Sequence, residues 1–196
     1  MNYEILTAFT AFAFVSSITP GPNNLMLMAS GANFGFRRTF PHMLGVGLGF
    51  VFMVLLVGVG LIQIFDAFPV SYLVLKSFSV IYLLYLAWKI AMVRSPHTTG
   101  RTGTPMTFFQ AALFQWVNPK AWAMAITAIS VYTHSQNVSA IILVALVFGA
   151  INLPCVGSWV LLGQQMQRVL TNPVRVRIFN AVMASLLVAS LYPVIF

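Results

Sequence analysis

Only two carboxylates occur in the 196 residues, Glu4 and Asp66. No pair of acids is available for general acid–base hydrolysis, and none can bridge a two-metal centre. Three scattered histidines (His42, His97, His134) and one cysteine, Cys155, do not supply the donors of a metal site. A single cysteine also excludes an intrachain disulfide and a dithiol electron carrier. No glycine-rich nucleotide loop of the Walker type is present. The residues therefore point away from an enzyme, a bound cofactor or metal, and ATP-driven work without another subunit; no catalytic residue is assigned.

Charge of either sign is scarce: 6% of residues are charged and 60% are apolar. Soluble domains carry roughly a quarter charged residues, enough to cover their surface. This chain cannot do so, and a mean hydropathy of +0.92 agrees with a surface in contact with lipid. The net charge of +8 rests on ten thinly spread Lys and Arg residues. They form no basic stripe, so no nucleic-acid partner is expected. No basic residue precedes the first apolar run, which reads as a retained helix and not a cleaved signal.

Apolar runs of about 20 residues, the length that spans a bilayer, fall at about 5–34, 42–65, 70–93, 106–132, 139–163 and 178–195. A polar connection, 94–105, separates the first three from the last three. The predicted fold is all-α, a polytopic membrane protein of six helices in one transporter domain. Repeat one covers 1–93 and repeat two 106–196. Three being odd, the second repeat enters the membrane from the opposite side, the arrangement of inverted-repeat transporters. Pro69 and Pro173 read as lying between helices, where no helical N–H bond is lost. Arg37, Arg38, Lys89, Arg94, Arg101, Arg168, Arg175 and Arg177 all fall on one side. By the positive-inside rule that side is cytoplasmic, and both termini are outside.

The first helix of each repeat is interrupted. Helix 1 contains Thr19-Pro20-Gly21-Pro22-Asn23-Asn24. Unbroken, its roughly 30 residues would be about 45 Å long against a hydrocarbon core of about 30 Å. Pro20 and Pro22 remove N–H donors, and the carbonyls freed around Ser16 to Ile18 must find partners because lipid offers none. Asn23 and Asn24 are placed to donate to those carbonyls or to a ligand. Helix 4 contains Gln115-Trp116-Val117-Asn118-Pro119-Lys120. Lys120 lies about 14 residues, roughly 20 Å, from the cytoplasmic end, too deep to snorkel to water. Either it faces a substrate carboxylate or gates the path, or it starts a shorter interfacial helix after Pro119. Gln115 and Asn118, three apart, are expected on one face, lining a pore or bonding between helices. The candidate substrate-binding residues are therefore Thr19, Pro20, Gly21, Pro22, Asn23, Asn24, Gln115, Asn118, Pro119 and Lys120.

Weaker signals remain. Asn152-Leu153-Pro154 suggests a further distortion, with Asn152 as interhelical glue. Gly45, Gly47, Gly49, Gly58 and Gly60 read as close-packing surfaces on helix 2, facing the other repeat or another protomer. Lys76 is close enough to the outer end of helix 3 to snorkel, in the direction of Asp66. Trp88, Tyr82 and Tyr85 suit an interfacial belt or core packing, and a lone histidine such as His42 is usually structural.

Taken in order, Thr19-Pro20-Gly21-Pro22-Asn23, Gly35-Phe36-Arg37, Gly45-Val46-Gly47-Leu48-Gly49, Lys76 with Tyr82-Leu83-Leu84-Tyr85-Leu86-Ala87-Trp88, and Asn118-Pro119-Lys120 carry a resemblance. Over nearly its whole length the chain resembles the lysine exporter (LysE)/homoserine–threonine resistance (RhtB) family of bacterial amino-acid exporters. The Asn23-Asn24 pair and short length look like its cysteine/O-acetylserine branch. Ala87 departs from the glycine common at that place in the family, which implies a small packing change.

The resemblance implies export of an amino acid or close derivative across the bacterial cytoplasmic (inner) membrane, driven by the proton gradient. The partners are then a small-molecule substrate and membrane lipid, with homo-oligomerisation open. No intramembrane carboxylate is available to carry the proton, so coupling would fall to Lys120, His42, the substrate amine or a water chain. A channel-like facilitator and a non-transporting membrane subunit are the alternatives.

Overall fold

A computed structural model of the chain describes residues 3–61, 63, 67–68, 70–93, 103–133 and 137–192, with Tyr72 described by its backbone alone. Asp66, Pro69, Arg94, Arg101 and most of the 94–105 connection lie outside the described residues. Among the described residues every regular element is helical, as the sequence predicts.

The helices are α1 (Tyr3–Ile18), α2 (Pro22–Phe34), α3 (Phe36–Leu56, continued by a π-helical turn Val57–Leu61), α4 (Val70–Ala91), α5 (Phe108–Phe114, continued by a 3-10 turn Gln115–Val117), α6 (Pro119–Tyr132), α7 (Val138–Met166) and α8 (Pro173–Ala189). Both expected interruptions are present. α1 and α2 are bent by 51° across the Pro-Gly-Pro cluster, and α5 and α6 are separated at Asn118. Pro22 and Pro119 each occupy the first turn of the helix after the break. There the missing N–H is no loss and the ring's fixed φ suits the helix.

Three stretches are long and apolar enough to cross a bilayer unaided: Phe36–Leu61, Leu73–Ala91 and Val138–Met166. The bent α1–α2 pair makes a fourth. The other two expected crossings are not continuous spans of that kind. α5–α6 is broken at Asn118, and the 17 residues of α8 reach only about 26 Å.

Several boundaries differ from the sequence reading. Helix 2 begins at Phe36, not near 42. Gly35, at φ 79°, ends α2 and starts α3 with no intervening loop, so Arg37 and Arg38 form the first turn of α3. Such a charged first turn is invisible to a search for apolar runs. Likewise Pro173 does not lie between helices. It opens α8, where Asn172 caps the helix by accepting a 2.8 Å bond from the Arg175 N–H. Asn152-Leu153-Pro154 does not interrupt α7, which runs through Pro154.

Glycines set the approach between helices. A methyl added at Gly49 would lie 2.6 Å from Ala112 Cα, and one at Gly47 would lie 2.8 Å from Leu153 Cδ1. The stripe on α3 therefore packs against α5 and α7 of the second half of the chain. Gly60 is different: at φ 108° it serves a backbone bend and not a packing surface. At the other end α2 and α7 cross backbone to backbone, Gly31 against the Val160 carbonyl and Gly163 against the Met28 carbonyl.

Two apolar cores flank the breaks. In one, Phe9, Phe50 and Phe148 meet among α1, α3, α6 and α7, with the Phe50 and Phe148 rings edge-on at 4.8 Å. In the other, Leu83, Leu86, Phe114 and Leu187 join α4 and α8 to α5. Tyr82 packs 5.8 Å from Phe114, whereas Tyr85 and Trp88 point outward and about half of each is exposed.

Candidate functional site

Where α1 ends, every carbonyl from Val15 to Gly21 has a donor. Thr19 supplies two, its N–H to Val15 O at 3.1 Å and its hydroxyl to Ser16 O at 3.2 Å. Asn24 Nδ2 donates to Ser17 O and to Thr19 O, both at 2.8 Å. Trp159 Nε1, from α7, reaches Ile18 O at 3.1 Å. Lys120 Nζ, from α6, donates to Thr19 O at 2.7 Å, Thr19 Oγ1 at 3.0 Å and Pro20 O at 3.3 Å. Gly21 O resumes the helical pattern by accepting from Leu25 N–H at 2.9 Å. The prolines expose a row of acceptors, and the second half of the chain covers part of it.

Lys120 joins the two interruptions physically. Its stem lies against Gly21, where a Cβ would fall 2.6 Å from Lys120 Cδ. Gly21 itself is extended, with φ −178°, so glycine is required here for space and not for its conformation. α6 does begin at the break, as one of the two sequence readings has it, but the ammonium engages the broken helix 1.

Two amides beside the breaks, Asn23 just after the first and Gln115 just before the second, pair with each other. Asn23 Nδ2 donates to Gln115 Oε1 at 2.8 Å and Gln115 Nε2 donates to Asn23 Oδ1 at 3.2 Å; Gln115 also donates to Ala111 O at 2.8 Å. Asn23 thus serves a side chain of the other break and not the freed carbonyls. Gln115 and Asn118 do not share a helix face. Asn118 is extended (φ −96°, ψ 106°) and caps α6 by accepting from Lys120 N–H at 3.1 Å.

A cavity of about 20 Å³ lies between the breaks, lined in part by Gly21, Asn23, Asn24, Asn118 and Lys120. Thr19, Pro20, Pro22, Gln115 and Pro119 stand behind or beside it. The space suits about one water, far less than an amino acid needs. Its remaining polar wall comes from Ser16, Ser17 and Asn152. Asn152 Nδ2 donates to Ser17 Oγ at 3.0 Å, which agrees with its reading as interhelical glue, while its buried Oδ1 has no partner. The apolar-run reading missed Ser17 and Trp159; only the accounting of carbonyls at the break could have asked for donors from elsewhere.

Chemically the site offers one ammonium, five amide side chains (Asn23, Asn24, Gln115, Asn118 and Asn152) and two helix N-termini, those of α2 and α6, brought together through the Lys120 contact. Helix N-termini carry partial positive charge. The ensemble therefore favours an anionic group such as a carboxylate. Among the described residues no group of three or more His, Cys, Asp and Glu side chains is assembled that could hold a metal.

Comparison with known proteins gives one family match: the LysE type translocator model matches residues 14–190. The chain is 30% identical over 192 residues to the cysteine/O-acetylserine efflux protein of Escherichia coli (strain K12), covering 96% of each. The protein of that name from Shigella sonnei (strain Ss046) matches over the same extent. That of Escherichia coli O139:H28 is 29% identical over 172 residues, covering 86% of this chain and 87% of its own. No solved structure matches the chain.

Proposed function

The chain belongs to the LysE type translocator family, and on that premise we propose that it exports a small amino acid or amino-acid derivative of the cysteine/O-acetylserine kind from the cytoplasm. The named relatives support this class of solute. The protein would sit in the bacterial inner membrane, cross it six times as two inverted repeats (1–93 and 106–196), and keep both termini outside. Support for the duplication comes from the matched order of parts. Each half opens with a helix broken before a proline-started segment, α1–α2 and α5–α6, and the long helices that follow, α3 and α7, pack on each other.

The substrate site in this reading lies between the breaks, on Thr19, Pro20, Gly21, Pro22, Asn23, Asn24, Gln115, Asn118, Pro119 and Lys120. The observation that carries it is the Lys120 ammonium bonded to the carbonyls of the opposite break. An intramembrane cation is costly unless it is partnered or functional. In the compact state its partners are Thr19 and Pro20; in the loaded state the substrate carboxylate takes their place. That exchange opens the roughly 20 Å³ space by freeing α6 from α1, so binding and opening are one event. Efflux would be driven by the proton gradient.

The test is efflux from cells loaded with O-acetylserine and cysteine, with and without an uncoupler. Dependence on the chain and loss with the uncoupler are expected. Unchanged efflux after uncoupling would remove the proton-driven part. In proteoliposomes, counterflow separates a carrier from a channel-like facilitator, because a simple channel shows no trans-stimulation.

A further inference from the structure

A second space near the breaks is much larger than the one between them. A cavity of about 280 Å³ lies against the opposite end of α2, walled by α2, His42 of α3, the end of α4 and residues 103–106. That is close to the size of small-ligand sites, and about fourteen times the space at the breaks. Its walls are mostly apolar, with the buried polar side chains Ser30, Asn33 and His42, the exposed Thr104, and the cation Lys89 at one edge.

His42 is the singular member. It is 2% exposed and neither ring nitrogen has a hydrogen-bond partner. A buried imidazole left unpaired is costly, whereas Ser30 and Asn33 are satisfied, Ser30 with Thr39 at 2.9 Å and Asn33 with Asn180 at 2.8 Å. One donor and one acceptor position are therefore left unused on a side chain that lines the cavity, both buried just behind its wall. Among the described residues the only carboxylate side chain is Glu4, in the first turn of α1 and not among the cavity residues. A purely cationic ligand finds no counter-charge here; a carboxylate finds Lys89.

The cavity and the site between the breaks share one helix face. Asn23, Met26, Ser30 and Asn33 recur at the three- and four-residue steps of one α2 stripe. Asn23 lines the small space, and the other three line the large one. One turn of α2, about 5 Å, separates them, and there Asn23 is tied to the buried Gln115. Arg37 and Arg38 at the start of α3 and Lys89 near the end of α4 place this cavity at the basic end of the helices.

We propose that this cavity is a second, cytoplasmic binding site, an antechamber. There the exported zwitterion docks by its carboxylate near Lys89 and its polar atoms near His42 before the Asn23–Gln115 pair parts and admits it to the breaks. The proposal rests on the export reading and its orientation.

The test uses single cysteines in a Cys155→Ala background, at Met26 inside the cavity and Met92 at its exposed rim, with a charged, membrane-impermeant thiosulfonate. Modification is expected in inside-out vesicles and not in right-side-out ones. O-acetylserine should slow it about fivefold at a concentration about four times its dissociation constant, and Lys89→Met should raise the concentration needed for that protection about tenfold. The rim position serves if Met26→Cys does not fold. Modification from the outside, or rates indifferent to O-acetylserine while efflux of that solute proceeds, would overturn the antechamber; rates that change only when lipid is removed would assign the cavity to an acyl chain and overturn it too. Protection without efflux would support the site and count against the export reading instead.

Discussion

Lys120 Nζ lies 2.7 Å from the carbonyl oxygen of Thr19, 101 residues away in the chain and at the end of a different broken helix. This bond places the only basic side chain of α6 on a backbone acceptor that a proline break created. Hydrogen bonds to charged groups contribute about 1.5–3 kcal/mol, so the contact fastens the two halves while leaving the ammonium free to exchange one oxygen for another.

Lys120→Met keeps the stem and removes the charge. Efflux of O-acetylserine should fall at least about a hundredfold, the equivalent of one charge-assisted bond of roughly 3 kcal/mol, with normal membrane insertion. Thr19→Val, which leaves the Thr19 carbonyl in place, should lower efflux severalfold at most. Comparable efflux by Lys120→Met and the parent chain, measured at matched expression, would sink the site assignment.

Gly21→Ala tests space without strain. The backbone there is extended and accepts alanine, but the new methyl meets the Lys120 stem at 2.6 Å. Because that stem is flexible, the protein should fold and the ammonium should shift. The expected result is a raised KM for export with little change in the thermal transition of the purified protein; an unfolded protein is the contrary outcome.

The Asn23–Gln115 pair is suited to a double-mutant cycle. Asn23→Ala and Gln115→Ala should each destabilise the protein, and the double variant should cost less than their sum. Interhelical polar pairs in membranes couple by about 0.6 kcal/mol on average and up to about 1.7. Unfolding in mixed micelles gives the coupling directly, and strict additivity would mean that the two amides do not support each other.

Gly31→Ala and Gly163→Ala each insert a methyl into a backbone contact, with Val160 O and Met28 O respectively. Neither neighbour is a flexible side chain, so α2 and α7 must separate. Overpacking of this kind costs about 1–3 kcal/mol. Lower yield and a lowered melting temperature are expected for both, against a near-neutral Gly157→Ala, whose methyl would meet only Met43 Sδ at 3.4 Å.

Much of the architecture was legible from elementary rules. Proline cannot donate, so Pro20, Pro22 and Pro119 marked both interruptions to the residue. Apolar runs located the described helices, but their starts were missed where the first turn is polar, as at Arg37 and at Pro173–Arg177, because a hydropathy window passes over a helix start that carries charge. Gly60 looked like its neighbours Gly45 and Gly49, although its role is a positive φ and theirs is close packing.

What the sequence determined by itself is the class of the protein: too little charge for a soluble surface, breaks at fixed places, and carbonyls at those breaks that had to be met. Which groups meet them was decided only by the tertiary structure. Asn24 is local and could be guessed, but Lys120 and Trp159 come from helices 101 and 141 residues further on. One-dimensional spacing carries no information about which face of a distant helix a broken segment will touch; packing at Gly31, Gly49 and Gly163 does.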